Sequence, residues 1–181
     1  MVVDQYMGAR VKQENLLNLE KLRRVGEYRA KASLINVTLL NQNKVGAWQL
    51  PFGTDIELGI GVKVSGQLPM LELGIALKTL TGFEIASSLS SSVLPVMSFK
   101  TGEYYFRTHF CDLTLTPGIY RFGLGLRSDK GFEDHLPDAF ELEILVSDAT
   151  TVLNAHKVLG TIIPKVHFGV VQMNGVREKS T

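Results

Sequence analysis

The sequence predicts an all-β fold, an antiparallel β-sandwich preceded by a short N-terminal helical linker. From Ala30 onwards, apolar and polar residues alternate with a period of two, and Gly, Pro, Asn or Asp residues separate the alternating segments. No helical period interrupts the main segments, which favours roughly eight strands in two packed sheets over alternating β–α–β units. A chain of 181 residues, 45% apolar and 20% charged, can bury one core of this kind.

The N-terminal residues 1–29 are predicted to be a linker that contains a short helix. Three leucines have partly helical spacing, two arginines follow where basic side chains suit the last turn, and a glycine stands where the helix would end. These residues are Leu16, Leu19, Leu22, Arg23, Arg24 and Gly26. The sandwich domain is assigned to residues 30–181.

Within the sandwich domain, long and short segments have the alternation of strands. The long ones are 33–40, 54–64, 70–79, 103–111, 118–127 and 139–147, and the short ones are 84–88 and 166–171. Three stretches between them are predicted to be loops or connections. They are the Ser-rich residues 87–92, residues 130–137, and residues 149–164 with a helical turn near 152–158.

One face of each long strand is predicted to point into the core, because residues at every second position share a face of a sheet. This inward set comprises Ile56, Leu58, Ile60, Val62, Val64, Leu71, Leu73, Ile75, Leu77, Tyr120, Phe122, Leu124, Leu126, Phe140, Leu142, Ile144 and Val146. The residues between them are expected on the opposite face.

The outward positions of three strands combine charged side chains with residues that have little or no side chain. Glycine inside a strand is costly and often marks the close approach of a ligand or another backbone. If the three strands are neighbours, Gly and Ala form the floor of a trough that suits a polar, extended ligand such as a sugar chain. The candidate carbohydrate-binding residues are Glu72, Gly74, Ala76, Lys78, Arg121, Gly123, Gly125, Arg127, Glu141 and Glu143, with Trp48 as a stacking platform.

Each part of this trough also has a simpler explanation. The glycines can serve the twist or curvature of the sheet while the charged side chains are merely solvated. The glutamates can accept hydrogen bonds from hydroxyl groups or pair with the arginines across strands. Trp48 can pack over an edge of the sandwich. Arg121 and Arg127 are the sharpest candidates, because a guanidinium group matches phosphate, carboxylate or vicinal hydroxyls.

The sequence lacks the patterns of several other functional classes. It has no Gly-x-x-x-x-Gly-Lys-Ser/Thr loop, and its four histidines lack metal-binding spacing, so no catalytic residue, metal or cofactor is predicted. A formal charge of +1 argues against nucleic acid as a partner. The single cysteine, Cys111, excludes an internal disulfide and favours a reducing compartment. His109 and Cys111 can share a strand face as a nucleophilic pair, although a structural role is favoured over that reading.

Six stretches of the chain follow an order that points to one family. Residues 30–40 and 52–60 correspond to opening strands, 71–82 to a strand and turn, 113–122 to a hairpin entry with Leu-x-x-Gly-x-Tyr, 137–146 to the last core strand, and 160–164 to a closing segment. In this order they resemble the C-terminal carbohydrate-binding domain of the ATPase subunit (Wzt type) of O-antigen and polysaccharide ABC transporters.

The resemblance implies an immunoglobulin-like sandwich in the cytoplasm, held at the inner face of the membrane through the transporter. It implies binding of the non-reducing, often chemically capped end of a lipid-linked O-antigen polysaccharide, which qualifies the polymer for export without catalysis in this domain. It also implies a homodimer in which the C-terminal strand can be exchanged, with the parent ATPase domain and the transporter membrane subunit as partners. The ligand residues vary within the family, so the candidate residues above come from the strand pattern alone.

Two other functions are open at this point. A structural or dimerisation sandwich without its own ligand would cover the trough with another protein strand. A cytosolic enzyme would use His109 and Cys111. A noncatalytic glycan-binding module is the leading hypothesis.

Overall fold

Two five-stranded sheets pack on each other across an apolar core in the computed structural model, which describes residues 15–24, 26, 28, 30–113, 115–146 and 165–173. Sheet I contains, in spatial order, β1 (Leu16–Asn18), β2 (Ala32–Leu39), β4 (Ile56–Val64), β7 (Gly102–Cys111) and β10 (Lys165–Met173). Sheet II contains, in spatial order, β3 (Gln49–Pro51), β9 (Gly131–Leu145), β8 (Gly118–Ser128), β5 (Glu72–Thr79) and β6 (Glu84–Leu89). Neighbouring strands are antiparallel except for β3 and β9, which are parallel.

The all-β sandwich predicted from the sequence is confirmed, and each predicted strand is present. The predicted inward set is buried except for Val146, which follows the end of β9 and is 77% exposed. Phe122 of β8 stacks on Phe140 of β9 with ring centroids 4.7 Å apart, and meets Phe110 of β7 edge-on at 6.1 Å. The contact with Phe110 joins the two sheets through the centre of the core.

The predicted N-terminal helix is wrong within the described residues. Leu16–Asn18 form the edge strand β1, which pairs with β2, and a turn follows at residues 20–22. Leu19 is fully buried against the sandwich. Burial of this side chain and hydrogen bonding with β2 outweigh helical propensity here, because a short helix is marginal in water without packing.

Arg24, which the sequence suggested as a helix-terminal cation, instead links three parts of the sandwich. Its guanidinium group donates to both carboxylate oxygens of Asp134 in β9 at 3.0 Å. It also donates to the carbonyl of Leu19 at 2.6 Å and to the carbonyl of Leu34 in β2 at 2.9 Å. Asp134 is buried and accepts a further hydrogen bond from the Leu34 N–H at 2.8 Å. This charge-assisted, bidentate pair fixes the N-terminal segment to both sheets.

Strand β9 begins well before the predicted strand 139–147, so the expected loop at 130–137 is wrong. The register with β8 shifts twice, and at the second shift residues 137–139 of β9 stand opposite Gly123 alone. Glu133 lies at the first shift and Asp134 follows it directly, and both are buried. Interrupted alternation and buried carboxylates make this half of the strand resemble a polar loop.

The remaining connections differ from expectation in smaller ways. The Ser-rich residues 87–92 begin as the end of β6 and continue as a 3₁₀ turn, Ser90–Ser92. The connection 149–164, with its predicted helical turn at 152–158, lies outside the described residues. In the part of the chain that the structure describes, no helix has the length and apolar character needed to span a membrane.

Candidate functional site

The three strands that carry the predicted trough are neighbours in sheet II, with β8 between β5 and β9. Their solvent-side surface is called the outer face of sheet II. The register across it pairs Glu72 with Arg127, Gly74 with Gly125, Ala76 with Gly123, and Lys78 with Arg121, which in turn stands opposite Glu141. The register therefore places these candidate residues side by side on one face.

The floor of this face is closed at Gly123. A Cβ atom at this position would lie 2.7 Å from the carbonyl oxygen of Pro137, and its other near neighbours are also backbone atoms of β9. Residues 137–139, called the β9 bulge, produce this cover because three residues stand opposite the single residue Gly123 of β8. The missing side chain at Gly123 thus makes room for the protein's own backbone, and the open floor expected from the sequence is absent there.

Gly125 is covered by two aromatic rings. A Cβ atom at Gly125 would lie 3.3 Å from Cε1 of Phe132 and 3.5 Å from Cδ2 of His135. The two rings stack with centroids 5.3 Å apart, and His135 meets the ring of Tyr28 edge-on at 6.4 Å. Phe132 is 49% exposed. The cover over Gly125 therefore ends in an exposed aromatic surface.

At the Lys78 end of the outer face, the cations already have partners. Lys78 Nζ donates to the carbonyl oxygen of Pro137 at 3.1 Å. Arg121 donates to the carboxylate of Glu141 at 3.0 Å, and its Nε lies 3.9 Å from Oδ1 of Asp138. For Arg121 the structure thus shows the cross-strand pairing that was the simpler explanation.

At the Arg127 end, the outer face offers an exposed cation. Arg127 stands between Phe132 of β9 and Glu72 of β5, and Glu72 accepts a hydrogen bond from Ser91. Among the described residues, Arg127 makes no ion pair and no side-chain hydrogen bond. Six positions separate Arg121 from Arg127, which is about 20 Å along a strand, so the two guanidinium groups cannot hold the same small group.

Trp48 and Glu143 lie at the β3 edge of sheet II. The Trp48 ring packs on the core residue Phe140 with centroids 4.8 Å apart, so the structure does not bring it to the outer face. Glu143 accepts a hydrogen bond from Gln49 Nε2 at 2.7 Å. These contacts tie β3 to β9 and offer a structural role for both residues.

Burial of the His135 ring lowers its pKa below the ordinary histidine value of 6.5. The positive charge of Lys78 lowers this pKa further, and the nearby carboxylate of Asp134 acts in the opposite direction. Because the pKa is lowered, the imidazole is neutral at neutral pH. A neutral ring beside Phe132 extends the apolar surface at this end of the face.

Phe132 is absent from the candidate residues that the sequence indicated. His135, which together with Asp134 could bind a hydroxyl group or a metal, is absent as well because a solvated turn was the favoured interpretation. Both fall in the segment 130–137, which the sequence suggested was a loop. A phenylalanine among charged and turn-forming residues was the available signal, but a single exposed aromatic residue is common at protein surfaces. Only the register between β8 and β9 shows that its ring lies over Gly125.

The outer face of sheet I also has covered glycines. The phenol of Tyr105 in β7 lies over Gly59 of β4, and the Asn36 side chain lies over Gly61. Burial raises the pKa of Tyr105 above its ordinary 10.0, against weaker lowering by a hydrogen bond with Thr38 and by the charge of Arg107. On this face the covers are side chains rather than backbone.

Comparisons with known proteins agree with this architecture. The sequence profile of the Wzt C-terminal domain family matches residues 25–155. A solved structure described as the crystal structure of the C-terminal domain of Wzt superposes with a TM-score of 0.57, over 71% of this chain and 80% of that chain, at 19% sequence identity. That likeness supports the fold alone, and no curated protein sequence matches the chain. Because the profile covers well over half of its residues, the chain belongs to the Wzt C-terminal domain family.

Proposed function

We propose that this domain binds the non-reducing end of a lipid-linked O-antigen polysaccharide and so qualifies the polymer for export by an ABC transporter, without catalysing a reaction. Membership in the Wzt C-terminal domain family supports the ligand class, since it connects the chain with polysaccharide ABC transport. The observation that carries the proposal is that the half-exposed Phe132 ring stands opposite the exposed Arg127, which has no ion pair within the described residues, on the outer face of sheet II.

These residues match the two chemical sides of a sugar. A pyranose ring has faces of C–H groups, which pack on an aromatic ring, and a rim of hydroxyl groups, which need hydrogen-bond partners. Phe132 supplies the apolar surface. Arg127, directly opposite Phe132, donates to a hydroxyl, phosphate or carboxylate, and Glu72, directly opposite Arg127, accepts from a hydroxyl.

The shape of the outer face favours the end of a glycan over its middle. Beyond Gly125 the bulge of β9 rises over Gly123, and Lys78 is tied to the Pro137 carbonyl. A glycan that lies on Phe132 and runs along β8 meets this backbone after a short distance. A glycan that ends at this side avoids the backbone of β9. The outer face therefore fits the terminal sugar of the glycan together with its cap.

The remaining parts of the proposal concern the assembly. The domain acts as a homodimer, as part of an ATPase subunit in the cytoplasm, at the inner face of the membrane beside the transporter membrane subunit. In the single chain, β10 pairs with β7 along the length of both strands. An exchange of β10 between two copies would preserve this register, which makes the exchanged dimer compatible with the fold.

Titration calorimetry with the delipidated O-antigen polysaccharide of the organism that encodes the chain tests the binding site. We expect heat on mixing with the wild-type domain, and weaker binding for Phe132→Ala and for Arg127→Ala. A lost charge-assisted hydrogen bond costs about 1.5–3 kcal/mol, so the Arg127→Ala affinity should fall about ten- to a hundredfold.

Two matched variants control for the loss of a ring or a charge elsewhere. Phe83→Ala removes a phenylalanine that is 64% exposed at the β5–β6 turn. Arg107→Ala removes an exposed arginine on sheet I that pairs with Glu57. Both should bind like the wild type. Unchanged affinity in Phe132→Ala and Arg127→Ala would contradict the proposed site, and no heat with the wild type would contradict the ligand class.

A structural or dimerisation domain without its own ligand is the second candidate. Apolar side chains at the end of β6 and just after it are exposed, as a protein contact surface would be. Leu89, the last residue of β6, is 50% exposed, and Val93 and Val96 are 51% and 75% exposed. If this surface is a protein contact, Val96→Asp reduces the mass measured by light scattering from dimer to monomer. If glycan binding is the function, the same variant keeps the wild-type glycan affinity.

A further inference from the structure

Three metal-binding side chains of different chemistry meet at the end of β7 on sheet I. His109 and Cys111 share one face of β7, and Asp55 immediately precedes β4, whose first residue Ile56 stands opposite Phe110. One donor atom from each of Asp55, His109 and Cys111 lies within 4.8 Å of the other two. These residues are called the Asp55–His109–Cys111 cluster. The sequence hid this cluster because Asp55 precedes His109 by 54 residues.

Of two contacts within the cluster, one has the spacing of neighbouring ligands of a bound ion. Cys111 Sγ lies 3.4 Å from His109 Nδ1, and Asp55 Oδ2 lies 3.2 Å from His109 Nε2. Around tetrahedral zinc, with bonds of about 2.0–2.3 Å, neighbouring ligand atoms are separated by roughly 3.3–3.6 Å. A histidine binds one ion through one ring nitrogen. With Nδ1 as the ligand, Cys111 Sγ already lies at ligand distance, whereas the Asp55 carboxylate, which now contacts Nε2, has to turn towards the same ion.

The backbone holds the carboxylate in place. The N–H of Asp112 donates to Asp55 Oδ1 at 3.1 Å, which leaves Oδ2 directed at the imidazole. A carboxylate that is fixed by a second partner and faces a histidine is a recurrent support of metal sites. Together with a Cys111 thiolate, it also supplies two negative charges, which balance a divalent ion.

The cluster is open to solvent, so an ion can reach it. The side chains of His109 and Asp55 are 34% and 48% exposed, and Cys111 is partly buried. Three protein ligands and access to water describe a site whose fourth position is filled from solution. The register also places His167 of β10 directly opposite His109, so the cluster lies where three strands of sheet I are adjacent.

We propose that Asp55, His109 and Cys111 form a binding site for Zn²⁺ or a similar borderline-soft divalent ion. A thiolate and an imidazole select such ions over Mg²⁺ and Ca²⁺, which prefer oxygen ligands alone. Binding replaces the S–H bond of Cys111 by a sulfur–metal bond and releases one proton to solvent. This site is on the sheet opposite to the proposed glycan surface and does not depend on the proposed function.

Cobalt titration of the reduced, purified chain tests the site, with Co²⁺ as a spectroscopic probe and Zn²⁺ as the competitor. We expect one Co²⁺ per chain, a thiolate-to-cobalt charge-transfer band in the near ultraviolet, and loss of that band when Zn²⁺ is added. Cys111→Ser should abolish the band. Because Cys111 is the single cysteine, that variant cannot by itself locate the other ligands.

The variants His109→Gln and Asp55→Asn locate them, since each should weaken Co²⁺ binding at least about tenfold while the thiol stays present. His135→Gln, which changes a histidine on sheet II, should bind like the wild type. Thermal melts of the metal-free variants check that each is folded. The absence of a band in the wild type, or wild-type affinity in both His109→Gln and Asp55→Asn, would overturn the proposal.

Discussion

On the outer face of each sheet another part of the protein lies directly over a glycine, but the covering group differs between the two sheets. On sheet II, Gly123 lies under the backbone of Pro137, whereas on sheet I, Gly59 lies under the side chain of Tyr105. Backbone in a strand is held by its own hydrogen bonds and cannot move alone. A tyrosine side chain can rotate away at the loss of its own contacts. Gly123 and Gly59 therefore stand in similar sequence patterns, but their covers differ in stiffness.

This difference limits what a glycine in a strand reveals. A missing side chain indicates that some group approaches closely, and it does not tell whether that group is a ligand, a side chain or the chain's own backbone. On both faces the closest approach at these two glycines is internal. The candidate glycan surface is therefore displaced from the glycines to the ring of Phe132, which lies on top of one of them.

The largest effect is expected for Gly123→Ala. Its Cβ would lie 2.7 Å from the Pro137 carbonyl oxygen, so β9 has to shift, and we expect the free energy of unfolding to fall by about 2–3 kcal/mol. Urea denaturation measures this loss.

Gly74→Ala is the matched control for this variant on the same face. A Cβ at Gly74 would meet the flexible end of the Leu89 side chain at 3.3 Å, and its nearest backbone atom is 3.8 Å away. We expect its stability to remain within about 0.5 kcal/mol of the wild type. Equal losses in Gly123→Ala and Gly74→Ala would show that the β9 bulge is not a rigid cover.

The irregular register of β9 with β8 explains why the sequence predicted the regular strands but missed the first half of β9. The strands with unbroken alternation, such as Glu72–Thr79, were found because their burial follows from a local period. The first half of β9 was missed because Glu133 and Asp134 occupy buried positions. Glu133 accepts from Ser128 Oγ at 2.6 Å and from the Lys31 N–H at 2.9 Å, while Asp134 pairs with Arg24. Partners about a hundred residues away are invisible to a local pattern.

An intermediate effect is expected for Gly59→Ala. The new methyl group would overlap the Tyr105 phenol, which has to leave its place over β4 and give up its hydrogen bond with Thr38. Because a side chain yields more easily than a strand, we expect a loss of about 1–2 kcal/mol, smaller than for Gly123→Ala.

Gly169→Ala in β10 controls for the change from glycine to alanine on sheet I. A Cβ there would have no atom within 4 Å, and we expect a change within about 0.5 kcal/mol. Ultraviolet titration gives a second measurement for Gly59→Ala, because a released Tyr105 should lose its raised pKa. A loss of stability as large as that of Gly123→Ala would remove the distinction between side-chain and backbone covers.

The candidate site shows the same division between local and distant information. The register that joins Glu72 to Arg127 follows from strands of regular alternation. The position of Phe132 depends on how many residues β9 inserts against β8, which no local pattern states. The sequence therefore pointed to the face on which we propose the site and included Arg127 and Glu72, but it did not single out the end that carries Phe132.

The smallest effect concerns pH, and it tests the ring cover over Gly125. The pKa of His135 is lowered in the folded protein, so between its lowered value and the unfolded value of 6.5 the unfolded state binds more protons. Stability is therefore complete above pH 6.5 and falls as the pH is lowered from 6.5 through the pKa of the folded protein. His135→Gln removes this proton, so its free energy of unfolding should decline less steeply than that of the wild type between pH 6.5 and the acid range. Parallel curves for the two proteins would mean that His135 is as solvated in the fold as in the unfolded chain, and that Phe132 alone covers Gly125.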